Sequence, residues 1–143
     1  MIDYCIFTNL IANTDAWVKN QTLITYDGKI WYLHPYDLDC SYGIQFEGKI
    51  NPVPTSYEPS TESTLYRRFE TLFEDDIKKR WGSLRTWLTP ASVIDEYRKW
   101  VEAVGEGNYE QEFKLWNNPS HDINDFNFVK TRIYHQFKIL DEA

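Results

Sequence analysis

The chain has 143 residues, the size of one domain, and its hydrophobic content of 42% is enough to bury a core. Its formal net charge of -7 would repel a phosphate backbone, so the composition argues against nucleic-acid binding. Aromatic residues make up 17% of the chain, which excludes disorder over its whole length. No apolar run approaches the roughly 20 residues of a membrane span, so the chain as given is predicted to be soluble.

The first segment predicts a helix over residues 2–12, because the apolar residues at positions 2, 6 and 10 recur at helical spacing. The carboxylate of Asp3 lies in its first turn, where a negative charge favours the helix dipole. The helix is expected to end at Asn13-Thr14-Asp15, since these short polar side chains bond their own backbone and favour turns.

The next segment predicts a β-hairpin. Residues 21–26 and 29–34 are rich in Thr, Ile, Tyr and Trp, and the Asp27-Gly28 pair between them is typical of a two-residue type I′ turn. Pro35 has no N–H to donate, so it is expected to end the second strand.

Residues 44–62 are predicted to form an extended loop, because they hold three prolines among polar residues and show no sustained period. Helical periodicity dominates the remainder of the chain. It predicts a helix at 64–79, a short turn or helix at 83–88, a helix from an N-cap at Thr89 to a stop at Gly105, a weaker helix at 108–116, and a last helix that begins near Asp122 or Asp125.

The predicted helices carry apolar stripes that are expected to face a core. In the helix after the loop and in the last helix, respectively, these stripes are Leu65, Phe69, Leu72, Phe73 and Ile77, and Phe126, Val129, Ile133, Phe137 and Leu140. Four tryptophans on or beside such stripes are expected to pack in the core, namely Trp81, Trp87, Trp100 and Trp116. Cys5 and Cys40 have no metal-binding spacing and are expected to be half-buried free thiols.

Together these elements predict a mostly helical α+β fold that forms a single domain over residues 1–143. We divide it into a segment with the polar loop, hairpin and acidic turn at 1–43, the extended loop at 44–62, and a helical subdomain at 63–143. Because Met1 directly precedes an amphipathic helix, we expect the chain to be a fragment of a larger protein.

Oxygen-bearing side chains flank the predicted hairpin on both sides. Asp15 and Asn20 precede it, and Asp37 and Asp39 follow it. Mg²⁺ prefers hard oxygen ligands, typically one or two carboxylates, an amide oxygen and nucleotide phosphates. We therefore interpret Asn20 and Asp37 as metal ligands, and Asp15 as the group that accepts or orients the proton of an attacking hydroxyl. Asp39 is expected to ligate a second ion or to hold the turn.

Other interpretations of these residues stay open. Asp15 and Asn20 also suit a turn cap and a hairpin edge. Asp37 and Asp39, together with Ser41, also suit a solvated acidic turn or a calcium-binding loop.

The order of these parts resembles the CotH family of spore-coat proteins, which are atypical protein kinases. The resemblance covers nearly the whole chain and matches the C-terminal part of that family. It is carried by Asn13-Thr14-Asp15 with Asn20, by Asp27-Gly28-Lys29-Ile30-Trp31, by Pro35-Tyr36-Asp37-Leu38-Asp39-Cys40-Ser41-Tyr42-Gly43, and after the loop by Leu65-Tyr66-Arg67-Arg68, Arg80-Trp81, Leu84-Arg85 and Leu88-Thr89.

The resemblance implies a kinase C-lobe-like fold and a phosphotransfer that depends on ATP and on Mg²⁺ or Mn²⁺. It implies that Asp15 is the catalytic Asp and that Asn20 and Asp37 bind metal, with Asp39 in support. Ordinary kinases place a Lys two positions after the catalytic Asp, where this chain has Trp17, so Lys19 is expected to contact the nucleotide instead. The Gly-rich loop and the ATP-anchoring Lys belong to an N-terminal lobe, which we expect in the parent protein.

Two functions follow as expectations. In the first, the chain is the C-terminal portion of a kinase that phosphorylates Ser or Thr hydroxyls of a protein substrate, and the fragment alone has little activity. In the second, it is a non-catalytic CotH-like structural or assembly module of a spore coat, envelope or phage particle, with an acidic turn that is structural or binds Ca²⁺. The location of the parent protein stays open among spore coat, cell surface and secretion.

Overall fold

The computed structural model describes residues 1–44, 63–116 and 126–143. The described part is mostly helical with one two-stranded antiparallel sheet, which confirms the α+β class. Its elements are α1 (Ile2–Leu10), a 3₁₀ helix (Thr14–Trp17), β1 (Gln21–Ile24), β2 (Tyr32–Pro35), α2 (Thr64–Leu72), α3 (Glu74–Leu84), α4 (Pro90–Val104), α5 (Glu106–Trp116) and α6 (Phe126–Glu142). The predicted loop beyond residue 44 and the predicted helix start at Asp122 or Asp125 lie outside the described residues.

The main core lies where α1, α3, α4 and α6 meet. Its buried residues are Ile6, Ile11, Tyr42, Trp81, Ile94, Ile133, Phe137 and Leu140. The rings of Trp81 and Phe137 pack with centroids 5.4 Å apart. The stripe predicted for the last helix is confirmed, because Ile133, Phe137 and Leu140 are buried and Phe126 and Val129 pack against them.

A second group of buried residues lies between α1, the 3₁₀ helix and α2. It consists of Tyr4, Cys5, Ala16, Trp17 and Tyr66, and we call it the aromatic cluster. Within it, the rings of Trp17 and Tyr66 are 4.9 Å apart, and those of Tyr4 and Tyr66 are stacked at 5.9 Å. The aromatic cluster therefore supports the turn that carries Asp15.

The single helix predicted at 64–79 is wrong, since the chain breaks at Phe73 into α2 and α3. Two packing surfaces explain the break: α2 turns Tyr66 toward the aromatic cluster, whereas α3 turns Ile77 and Trp81 toward the main core. The acidic run at 74–76 also favours a new helix N-terminus. The predicted stripe holds in part: Phe69 packs against the aromatic cluster and Ile77 against the main core. The other three members, Leu65, Leu72 and Phe73, are exposed.

The two-residue turn predicted at Asp27-Gly28 is also wrong. Ile24 pairs with Tyr32 at the end of the ladder, so residues 25–31 form the connection. The Asp27 side chain accepts hydrogen bonds from Lys29 N at 2.8 Å and from Ile30 N at 2.9 Å. Because a side chain satisfies these backbone donors, the turn needs no strand pairing there.

The start of α4 follows the prediction. Thr89 Oγ1 accepts from Ser92 N at 3.1 Å, and Ser92 Oγ accepts from Thr89 N at 3.0 Å, which forms a reciprocal cap before Pro90. At the other end, Gly105 has a φ of 80°, a conformation that favours glycine. The helix therefore begins and ends where its sequence indicates.

Of the four tryptophans predicted to pack in the core, Trp81 does so, and the side chain of Trp116 lies outside the part of the chain that the structure describes. Trp87 and Trp100 are 65% and 71% exposed and, with Tyr97, line an open groove of about 530 Å³. The reason is helical geometry: α4 turns Ile94 to the core, and Trp100 lies about 120° away around the helix.

Candidate functional site

The turn before the hairpin is built by backbone geometry. Ala12 has a φ of 51°, which ends α1, and Asn13 caps the 3₁₀ helix by accepting a hydrogen bond from Ala16 N at 3.1 Å. The carbonyl oxygen of Asp15 then accepts from the backbone N–H groups of Val18, Lys19 and Asn20 at 3.1–3.2 Å. These bonds place Asp15, Lys19 and Asn20 on one tight turn.

Asp15 and Lys19 form an ion pair within this turn. Lys19 Nζ lies 2.9 Å from Asp15 Oδ2, with side-chain exposures of 65% for the lysine and 32% for the aspartate. The hydrogen bond to the Asp15 carboxylate raises the pKa of Lys19 above its ordinary value. Lys19 is therefore a protonated cation at neutral pH, held directly beside the predicted base.

Asn20 and Asp37, the two predicted metal ligands, meet at the open end of the hairpin. Asn20 Nδ2 donates to Asp37 O at 3.3 Å, and Tyr36 N donates to Asn20 O at 3.3 Å. Asp37 itself has a φ of 54°, the left-handed conformation that Asp and Asn tolerate better than most residues. The hairpin thus brings together two residues that are 17 positions apart in the sequence.

The acidic turn that contains Asp37 and Asp39 is closed by Ser41, whose Oγ donates to Leu38 O at 2.6 Å. Asp39 is exposed and lies beside Cys40. Burial, and secondarily the Asp39 charge, raises the pKa of the Cys40 thiol. Both Cys5 and Cys40 are free and buried, more deeply than the half-buried state that the sequence predicts.

Two tyrosines of the aromatic cluster donate hydrogen bonds to the Asp15 turn and to the hairpin. Tyr4 OH donates to Ala16 O at 3.0 Å, and Tyr66 OH donates to Gln21 Oε1. The bond between the Asn13 side chain and the local backbone was expected from the sequence and is confirmed by the Ala16 contact, whereas the contacts of Tyr4 and Tyr66 with the turn and the hairpin were not predicted. The high aromatic content was the available signal, but it does not indicate which rings contact the turn.

Asp37 and Asn20 carry the oxygen atoms near the hairpin that could hold a metal ion. Among residues 1–44, 63–116 and 126–143, no three His, Cys, Asp or Glu side chains converge as a metal site. Asp37 offers a carboxylate, and Asn20 still offers its amide oxygen because its Nδ2 is the donor to Asp37 O. One carboxylate and one amide oxygen fit Mg²⁺, which usually keeps waters and binds substrate phosphates.

None of the described helices is both long enough and apolar enough to cross a membrane.

The fold and the site thus define an α+β protein with polar and charged groups gathered around a hairpin. The family described as CotH kinase protein matches residues 1–141. The chain therefore belongs to the CotH family, and the resemblance seen in its motifs is confirmed. Comparison with curated proteins gives no match, and comparison with solved structures gives none either.

Proposed function

We propose that the chain supplies the catalytic turn and the metal ligands of a CotH-type protein kinase, in a kinase C-lobe-like arrangement. The reaction is transfer of the γ-phosphoryl group of ATP to a Ser or Thr hydroxyl of a protein substrate. One observation carries the proposal: Asn20 contacts Asp37 across the hairpin, while Asp15 and Lys19 lie on the same turn as Asn20.

Asp15 acts as the base in this proposal. Its Oδ2 is held by Lys19, which leaves the second carboxylate oxygen to accept or orient the proton of the substrate hydroxyl. Lys19 carries three N–H donors and directs one of them to Asp15, so the others are available to the oxygens of the transferred phosphoryl group.

Asn20 and Asp37 would hold Mg²⁺ or Mn²⁺, and Asp39 would ligate a second ion or maintain the turn. When bound, the metal neutralises negative charge on the nucleotide phosphates. Asp37 offers one carboxylate and Asn20 one amide oxygen. Mg²⁺ usually keeps several waters and binds substrate phosphates beside one or two protein ligands, whereas Ca²⁺ takes six to eight oxygens, most of them from the protein. The donor set therefore favours Mg²⁺ over the calcium-binding loop.

The hairpin beside the site exposes an unusual number of large apolar side chains, among them Leu23, Tyr26, Ile30, Trp31 and Tyr32. We propose that this surface faces the nucleotide-gripping lobe of the parent protein. The chain alone is then expected to bind metal and nucleotide weakly and to transfer little phosphate.

Titration of Mn²⁺ into the parent protein in the presence of ATP tests the metal assignment. We expect Asp37→Asn to weaken Mn²⁺ binding by at least about tenfold, because a charged ligand is lost while the left-handed backbone is tolerated. Glu102→Gln is the control, since it removes one exposed carboxylate on α4. Equal Mn²⁺ binding by the wild type and Asp37→Asn would overturn the assignment.

The exposed apolar hairpin also favours the second candidate, a non-catalytic assembly module. The two functions are separated by incubating the parent protein with ATP labelled at the γ-phosphate and a protein partner. Transfer of label to Ser or Thr, abolished by Asp15→Asn, supports the kinase. Lack of transfer together with lack of Mn²⁺ binding supports the module.

A further inference from the structure

We propose that Asn13 is a positioning residue of this site: its side chain joins the turn that carries Asp15 to the turn that carries Asp37 and sets their separation. The inference rests on the proposed function, because it assigns Asn13 a role in placing the base relative to the metal ligands.

Asn13 is buried, with 1% of its surface exposed, and its polar atoms are engaged on both sides. Its Oδ1 accepts from Ala16 N at 3.1 Å, inside the 3₁₀ helix that contains Asp15. Its Nδ2 donates to Ser41 Oγ at 3.5 Å, on the acidic turn. One buried amide therefore contacts both turns at once.

Ser41 extends the contact to Leu38, the residue between Asp37 and Asp39. Its Oγ donates to Leu38 O at 2.6 Å, and Leu38 separates Asp37 from Asp39 in the sequence. The contacts from Asn13 to Ser41 and from Ser41 to Leu38 thus link the turn that carries Asp15 to the backbone next to Asp37. A shift of Asn13 would move one turn against the other.

A backbone hydrogen bond holds the same two segments together independently. Tyr42 N, at the end of the acidic turn, donates to Ile11 O, just before the Asp15 turn, at 2.6 Å. Loss of the Asn13 side-chain donor should therefore leave the segments adjacent and alter their fine placement. Catalytic groups are sensitive to shifts of about 1 Å, and outer contacts of metal ligands typically change metal affinity by about tenfold or more.

The test compares Asn13→Ser with Ser41→Ala in the same parent protein that is used for the metal titration. Serine is as good an N-cap as asparagine, so Asn13→Ser keeps an oxygen for Ala16 N but is too short to reach Ser41. Ser41→Ala breaks the same bridge from the other side. Asn108→Ser is the matched control, because it removes an asparagine side-chain bond to Val104 O far along the chain in α5.

We expect Asn13→Ser and Ser41→Ala each to bind Mn²⁺ with ATP about tenfold more weakly than the wild type. The double variant should bind as Ser41→Ala alone does, since both changes break one bridge. At saturating Mn²⁺, paramagnetic broadening of the Lys19 signals should also differ from the wild type. This readout reports geometry, which a loss of stability alone would not change. Asn108→Ser should match the wild type throughout.

Failure of this inference and failure of the proposed function give different results. If the wild type binds Mn²⁺ and both bridge variants bind it equally well with unchanged broadening, Asn13 does not position the site. If the wild type binds no Mn²⁺, the proposed function falls and this inference falls with it. Should Asn13→Ser fail to fold, Asn13→Thr takes its place, because threonine is also an N-cap residue and is likewise too short to reach Ser41.

Discussion

The carboxylate of Asp27 shows how one exposed side chain determines the local backbone. Hydrogen bonds from Ile30 N and then from Lys29 N hold the pKa of Asp27 below its ordinary value of 3.8. In the unfolded chain these bonds are absent, so the carboxyl regains its ordinary pKa. The charged form is thus favoured by folding, and its contribution is present above pH 3.8.

We predict that this contribution is lost as pH falls below 3.8 through the lower pKa of the folded state. The measurement is an NMR titration of the Asp27 carboxyl, accompanied by acid unfolding of the wild type and Asp27→Asn. The stability difference between the two proteins should shrink on acidification. A carboxyl that titrates at or above 3.8 would contradict the hydrogen bonds that organise the connection.

The sequence predicted which residues belong to the candidate site, but not which of them contact each other. Asp15, Asn20 and Asp37 stand at positions that local chemistry and family resemblance both indicate. The bond from Asn20 to Asp37 and the bridge from Asn13 to Ser41 depend on how the hairpin folds back, which the sequence does not state. The assigned roles of Asp15, Lys19 and the metal ligands stay predictions.

At the scale of elements, the helix termini show which signals are local. The Thr89 cap and the Gly105 stop were predictable because each depends on a few adjacent residues. The break at Phe73 was not, because α2 and α3 pack against different groups of buried residues. The hairpin register was missed because the Asp27 side chain satisfies backbone donors that the two-residue turn would pair.

Gly82 and Gly105 form a matched pair for testing how backbone conformation affects stability. A Cβ added at Gly82 or at Gly105 meets nothing within 4 Å, so only the backbone angles distinguish the sites. Gly82 lies within α3, whereas Gly105 has a φ of 80°. We predict that Gly82→Ala stabilises the protein by about 0.5–1 kcal/mol and that Gly105→Ala destabilises it by about 1–2 kcal/mol.

Chemical denaturation of the two glycine variants measures both effects. Opposite signs are expected, because alanine reduces the entropy of the unfolded chain at both sites but is strained only at Gly105. Equal destabilisation by the two substitutions would show that Gly82 is not in an ordinary helical environment.

At the scale of the whole molecule, the aromatic cluster and the main core both support the candidate site. The aromatic cluster supports the Asp15 turn, and the main core holds the end of the acidic turn through Tyr42. Tyr42 also bonds Tyr97 of α4, with the hydroxyl oxygens 3.2 Å apart. Both sides of the hairpin are thus anchored in the folded helical part of the chain.

We predict that Phe137→Ala lowers the free energy of unfolding by about 3–5 kcal/mol. Phe137 is 1% exposed and packs on Trp81, so its loss leaves a cavity in the main core. Equilibrium urea unfolding measures the change. Tyr134→Ala on the same helix is the control, since Tyr134 is exposed and its loss should cost no more than about 0.5 kcal/mol. Similar losses in the free energy of unfolding for both variants would contradict the burial of Phe137 in the main core.

The two cysteines lie in the interior, and burial raises the pKa of Cys5 to about 12 and also raises that of Cys40. Thiolates are the reactive species, so at neutral pH neither cysteine competes well for alkylating reagents. The native thiols of the chain therefore react little with such reagents at neutral pH. A single cysteine added anywhere on its exposed hairpin would accept a fluorophore or spin label selectively, without prior removal of native cysteines.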